Sequence, residues 1–359
     1  MFKEILLSYF PKITHKRYQQ MLVVFSSLDN AWQGKFDDYK KIGWEDDLIN
    51  EFLKWRAAVD GEKIEKILKQ EKIHCLTKND AEYPPLLKEI YDPPFCLFVR
   101  GELKPNEFTL AIVGPRKYTS YGKQITEELT RDLAAQGITI VSGLALGIDS
   151  VAHQATLNAN GITIAVLGTG INRAHVYPAC HKQLAEKIIA SSGAIISEYP
   201  PGTLPTRFTF PRRNRIIAGM SLGTLVIEAA ESSGALITAQ CALDYNREVF
   251  AVPQNITSPT ALGTNGLIKN GAHPVTTAQD IFDALNLHDV KKFIANRAIL
   301  PASPAEAKLL PYLSREPIHV DALTKLSTLD SPTINATLTI MEMTGKVRNL
   351  GGMMYVLSK

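Results

Sequence analysis

At 359 residues and 45% hydrophobic, the chain is long enough for two or three domains with real cores. Its formal net charge is only +3, so global charge points to no partner, and any anion site must concentrate charge locally. Four scattered cysteines without a CxxC pair argue against a disulfide framework or a zinc site, and no apolar run reaches membrane-span length.

The first residues, MFKEILLSYFPKITHKR, hold no apolar core of signal-peptide length, so a soluble cytoplasmic protein is expected. Residues 1–72 read as a small helical module. Leu6, Leu7, Phe10, Tyr18, Met21, Leu22 and Phe25 recur at helical spacing, and Trp44, Leu48, Phe52, Trp55, Ile64, Ile67 and Leu68 continue the stripe. Ser26-Ser27 marks a break, with Asn30 a candidate cap. Such a module can touch DNA or serve only for packing or partner contacts. Residues 73–105 form a connector punctuated by Pro84-Pro85 and Pro93-Pro94, with one short strand from Phe95 to Val99.

From 106 to 288 apolar strands alternate with helices. Strands are expected at 109–114, 138–143, 162–168, 194–199, 224–229 and 248–253, and around Ala272–Val275. That order specifies an α/β fold: a Rossmann-like, doubly wound, mostly parallel sheet. Residues 289–303 read as a linker. Residues 304–359 place three helices before a hairpin turning at Gly351-Gly352, which is winged-helix order.

The richest stretch runs from Thr206 to Glu228. It carries Arg207, Arg212, Arg213, Asn214 and Arg215, with Phe208 and Phe210 among them. No Asp or Glu lies between Tyr199 and Ile227. Arginine forks suit phosphate, and aromatic faces suit bases. The competing reading has the arginines paired with carboxylates and both phenylalanines in the core.

A second cation-bearing turn, GPRKYTSYG at 114–122, follows the first sheet strand. Arg116, Lys117, Thr119 and Ser120 precede a helix N-terminus, which offers free N–H groups to an anion. Its spacing is not that of a Walker A loop. Gly143 follows the second strand and Gly168 the third, where glycine lets a backbone come close to a ligand. GxGxxG is incomplete, since Arg173 stands at its last position, so a nicotinamide dinucleotide is not expected. Asp149 and His153 share a helix face without a third ligand, His175 and His181 suggest no grouping either, and no metal is expected. GxSxG is absent. Glu228 and Glu231 follow a central strand, where they could be catalytic, cap the next helix or pair with the arginines. Leu267 and Ile268 sit on a short helix and, if exposed, mark a self-association surface. The third helix of the last module, SPTINATLTIMEMTG, has no Lys or Arg, and only Lys346 and Arg348 of the wing are basic. This module is therefore expected to bind DNA weakly or not at all.

Five ordered motifs resemble the DprA/Smf family of DNA-processing proteins: GPRKYTSYG, SGLALGIDSVAH, FPRRNRIIAG, the GT…EAAESSGALITA run and GTNGLIKNGAHPV. The connector is similar too, and the N-terminal helices are SAM/HhH-like in kind. The resemblance implies a single-stranded-DNA binder without enzymatic activity or cofactor. It implies a homodimer formed through the sheet domain, protection of incoming strands in natural transformation, and loading of the recombinase RecA. Arg116 and Arg207 to Arg215 would then hold phosphates, Phe208 or Phe210 would stack on a base, and Leu267 and Ile268 would join the dimer surface. The alternative is a nucleotide-processing phosphoribohydrolase-like enzyme, whose motif resembles PGGxGTxxE. Here Leu222 replaces a glycine of that motif and Glu228 falls one residue late.

Overall fold

The computed structural model describes residues 3–104, 108–287, 303–314, 317–343 and 346–357. It divides into two compact units, Met1–Leu287 and His288–Lys359. Most of the expected linker, and Gly345 after the last helix, lie outside the described residues.

The first unit begins with six helices: α1 (Lys3–Ser8), α2 (His15–Phe25), α3 (Leu28–Gln33), α4 (Phe36–Lys41), α5 (Asp46–Ala58) and α6 (Gly61–Glu71). Thr14 caps α2 by accepting from Arg17 N, and Ser26 ends it in the left-handed conformation. Ser27, not Asn30, caps α3; the Asn30 amide is the donor it satisfies. Aromatic rings fill the module: Phe52 packs edge-on against Phe10, Tyr39 and Trp44. A second stripe, with Ile5, Leu6, Ile64 and Leu68, joins one core with Phe98, Leu167 and Ile195 of the sheet. The helical module is thereby continuous with the sheet.

The connector contributes two strands where one was expected: β1 (Ile73–Leu76) and β2 (Leu97–Gly101), with the short helix α7 (Pro85–Glu89) between them. They pair antiparallel, Leu76 opposite Leu97. Four residues, IHCL, are too few to show a period, so only the pairing reveals β1. Cys75 and Cys96 are brought to a Cα separation of 6.3 Å and form a disulfide, which corrects the expectation drawn from their spacing. Cys180 and Cys241 are free.

The remaining elements alternate as expected: β3 (Thr109–Val113), α8 (Ser120–Ala135), β4 (Thr139–Ser142), α9 (Ile148–Asn158), β5 (Thr163–Val166), α10 (Lys182–Ala190), β6 (Ala194–Ser197), α11 (Thr209–Gly219), β7 (Gly223–Val226), α12 (Gly234–Asp244), β8 (Glu248–Ala251), α13 (Ala261–Lys269), β9 (His273–Pro274) and α14 (Ala278–Ala284). The sheet order is β1-β2-β6-β5-β4-β3-β7-β8-β9. From β6 to β9 every pairing is parallel. β2 joins β6 antiparallel, Val99 opposite Ile196. Strands β3 to β6 are buried along their whole length because helices cover both faces. The chain lays down β3, β4, β5 and β6 in one direction, then returns past β3 to lay down β7, β8 and β9. This reversal opens a crevice at the carboxyl ends of the central strands.

The second unit holds helices Pro304–Leu309, Val320–Ser327 and Ser331–Met343, with a three-stranded sheet of Ile318–His319, Val347–Asn349 and Met354–Leu357. Its core joins Leu309, Leu323, Ile334, Leu338, Val347 and Leu357. Gly351 and Gly352 turn the hairpin at positive φ. His319 ends the short strand Ile318–His319 and caps the helix that follows.

Candidate nucleic-acid interface

The arginine stretch forms α11, whose first turn projects over the carboxyl ends of β4 and β5. Its side chains divide by depth. Arg207 is exposed just ahead of the helix, its guanidinium 4.7 Å from the Phe208 ring, and Phe208 is 70% exposed. Arg212 is half-exposed and approaches Glu198 at 3.4 Å. Arg213 and Arg215 are buried.

Arg215 turns away from the crevice. It donates to the Asp92 carbonyl at 2.6 Å and forms ion pairs with the Glu198 and Asp92 carboxylates. Tyr245 donates to the same Asp92 at 2.8 Å. The acid-free run from 199 to 227 therefore misled: Glu198 stands one residue before it, and Asp92 arrives from the connector. As a phosphate ligand Arg215 is corrected to a structural cation.

Arg213 points the other way, donating to the carbonyls of Gly143 and Val166. Asp149 accepts from the amides of Gly143 and Ala145, at 3.1 and 3.4 Å. The turn after β4 is thus held by a carboxylate on its N–H groups and a guanidinium on its carbonyl. Burial pulls the Arg213 guanidinium down to about 10, with Asp149 opposing, and burial pushes the Asp149 carboxyl up, with Arg213 opposing. A Cβ at Gly143 would lie 2.4 Å from Arg213 Nη1, and one at Gly168 would meet Phe210 at 3.1 Å. These glycines admit α11 rather than a ligand backbone.

A shallow cleft, open to solvent, lies above this floor. Arg116 lies over the Phe210 ring on its wall, 5.9 Å from guanidinium carbon to ring centre, and the Tyr177 ring lies 5.5 Å from that of Phe210. Gly143, Ala145, Leu146, Pro178 and Arg213 complete the lining. Among the described residues no carboxylate lines it. Cations and rings around a concave site can hold an anion and cover a flat, apolar face.

Of the residues singled out in the sequence, Arg116, Gly143, Phe210 and Arg213 meet here, and Gly168 supports Phe210. Lys117, Ser120, Arg207, Phe208 and Arg212 are exposed outside the lining. Asn214 accepts from Arg213 at 3.2 Å. Thr119 caps α8, accepting from Gly122 N at 3.0 Å, and Ser120 is the first residue of that helix. Tyr177 was missed. Its one sequence signal is an exposed-type aromatic beside Pro178 in the loop that follows the third glycine-ended strand.

The other candidates fall away from the cleft. His153 is buried, its Nδ1 at 2.7 Å from Thr163, whose hydroxyl donates to Ile140. Burial, with His181 and Arg213 nearby, lowers the imidazole to about 3. Among the described residues no group of three or more potential ligands could hold a metal ion. Glu228 is fully buried and reaches back to Thr119, and among the described residues no arginine pairs with it. Glu231 is exposed, and Ser233 caps α12. Leu267 and Ile268 are half-buried on α13, with Leu267 packed against the sheet core; Leu262 on the same helix is 58% exposed. In the second unit Lys346 pairs with the buried Glu306 at 2.6 Å, so the wing presents Arg348 as its basic side chain. Among the described residues no helix is long and apolar enough to cross a membrane.

Comparison with known proteins adds a second line of observation. The sequence model of DNA recombination-mediator protein A matches residues 74–286, and that of the DprA winged helix domain matches residues 294–353. Protein Smf of Escherichia coli (strain K12) is 40% identical, over 79% of this chain and 78% of that protein. Protein Smf of Synechocystis is 34% identical over 92% of each. Among solved structures, DprA of Streptococcus pneumoniae superposes with a TM-score of 0.66 at 33% identity, covering 78% of this chain and 95% of that one. DNA processing protein A of Helicobacter pylori, whose structure is described for its single-stranded DNA binding mode, gives a TM-score of 0.53 at 30% identity, covering 60% and 96%.

Proposed function

Because the chain belongs to the DNA recombination-mediator protein A family, we propose that it binds single-stranded DNA in the cleft lined by Arg116 and Phe210. The observation that carries this reading is the lining itself: two arginines and two aromatic rings around one concavity, with no carboxylate among the described lining residues. Arg116 holds a phosphate. Phe210 and Tyr177 offer faces to a base, and a paired base has no face free to use them. Arg207, Phe208, Arg212 and Lys117, exposed around the cleft, extend the contact along the strand. The Helicobacter pylori relative, described for single-strand binding, supports the same assignment.

On this reading the protein is a binder rather than an enzyme. It covers incoming strands in natural transformation and passes them to RecA in the cytoplasm. It does so as a homodimer formed through the face of α13, where Leu262 is exposed beside the half-buried Leu267 and Ile268. The phosphoribohydrolase alternative needs a carboxylate within hydrogen-bond reach of a bound nucleotide. Of its two candidates, Glu228 is sealed beneath the turn after β3, and Glu231 is exposed outside the cleft lining.

Titration of fluorescent single-stranded and duplex DNA at two salt concentrations tests the proposal. Preference for the single strand, weakening steeply with salt as counterions are released, is the expected result. No binding at low salt, or release of free base from nucleoside monophosphates that Glu228→Gln abolishes, would overturn it.

A further inference from the structure

Glu228 is a fully buried carboxylate in an α/β crevice, and the cleft does not use it. Its partners say what it does. Oε2 accepts from the Thr119 amide at 3.0 Å, and Oε1 accepts from the Thr119 hydroxyl at 2.5 Å. Thr260 Oγ1 lies 3.3 Å from Oε1. The carboxylate fits so closely against the first turn of α8 that a Cβ on Gly122 would fall 2.3 Å from it. A negative charge beneath a helix N-terminus is well placed, because the free amides and the helix dipole favour it.

Between the end of β3 and Thr119, the turn displays Arg116, Lys117 and Tyr118 to solvent. Its near end is tied where Ile148 N donates to the Pro115 carbonyl at 3.3 Å. Its far end is tied by Glu228, two residues past the end of the neighbouring strand β7. The three residues between these anchors include Arg116, the cleft cation that comes from an exposed loop. The Arg116 position above Phe210 therefore depends on a carboxylate that touches neither.

We propose that Glu228 is a positioning residue for DNA binding: across the strand-order reversal it clamps the cation-bearing turn, so that Arg116 is held over the cleft. The proposal rests on the single-strand reading above and assigns to the glutamate a role in recognition instead of hydrolysis. Gly122 is its counterpart, since only a residue without a side chain leaves room for the carboxylate.

Equilibrium binding of a fluorescent oligo-dT to the full chain, with Arg116→Ala, Glu228→Gln and the double variant, tests the clamp. Thr119→Val removes the hydroxyl half of the clamp, together with the α8 cap, and leaves the amide bond in place, should Glu228→Gln fail to fold. Either single clamp variant is expected to weaken binding about tenfold, because Glu228→Gln replaces an acceptor oxygen by a donor, Thr119→Val takes one donor from the buried carboxylate, and in both the turn loosens. The slope of log affinity against log salt should fall by about one, as for loss of a phosphate contact. The double variant should bind no more weakly than Arg116→Ala alone, since a misplaced Arg116 and a missing one are equivalent. Amide exchange over residues 115–121 should quicken in the clamp variants while the central strands keep their protection. Wild-type affinity in Glu228→Gln and Thr119→Val, or losses that add to that of Arg116→Ala, would overturn the proposal. If the wild-type chain binds no oligonucleotide, the single-strand reading fails. The exchange measurement then decides the clamp separately, and unchanged exchange over 115–121 rejects it.

Discussion

Arg215 on α11 and Arg116 in the turn after β3 show how one residue type takes opposite roles in one domain. Arg215 neutralises Glu198 and Asp92 in a buried pocket, and removing one partner of such a group leaves uncompensated charge. Arg215→Ala should therefore cost about 3 kcal/mol in denaturant unfolding, with single-strand affinity little changed at temperatures where the variant is folded; an unchanged midpoint would refute that role. Arg116 is exposed and free to meet a phosphate. Arg116→Ala should lower affinity on all sequences alike and reduce the salt slope by about one. Phe210→Ala should cost roughly 1–3 kcal/mol of binding if its ring is the stacking platform; Phe208, outside the lining, is expected to matter less. His153 adds a pH signature. Its folded value of about 3 lies below the ordinary 6.5, so between those values the unfolded chain binds the extra proton. Stability is then lost as pH falls through that window. Glutamine at 153 should flatten the acid limb of a thermal-midpoint profile, and an unaltered limb would count against the assignment.

At the scale of elements, the site is made by the approach of α11 to two strand ends. Gly143 and Gly168 set that distance, because a methyl at either would meet Arg213 or Phe210. Gly143→Ala should displace the Arg213 guanidinium from its two carbonyls and weaken DNA binding more than it lowers the melting temperature. A loss of stability with intact affinity in the surviving fold would contradict this. The glycines were visible in the sequence, and so was their place after strands. Their purpose was not, since the atoms they admit lie 70 residues away for Gly143 and its partner Arg213. The same holds for Asp92, invisible as a partner of Arg215 across 123 residues of chain. Local pattern identifies helices and strands through period and caps. It cannot say which side chains a crossover will bring together.

For the whole molecule, the first unit alone carries every residue of the cleft. A chain ending at Leu287 should retain single-strand binding in the titration described above, and its loss would assign the second unit a role its charge does not suggest. Lys346 is engaged with Glu306, and the third helix of that unit is uncharged apart from Glu342. Self-association belongs to this scale as well. Sedimentation at rising concentration should show a dimer that arginine at Ile268 disrupts, and a constant monomer mass would reject the α13 face.

The sequence by itself determined the α/β class, the near-complete order of strands and helices, the winged-helix order of the second unit and the family. These follow from hydrophobic period, glycine and proline punctuation, and motifs short enough to be contiguous. Tertiary structure alone decided that β1 belongs to the sheet, that Arg215 is sealed while Arg116 is presented, that Tyr177 joins the cleft and that Glu228 holds the turn beside it. The physical reason is common to all four. Burial and pairing are properties of neighbours in space, and a parallel sheet with reversed strand order makes neighbours of residues far apart in the chain.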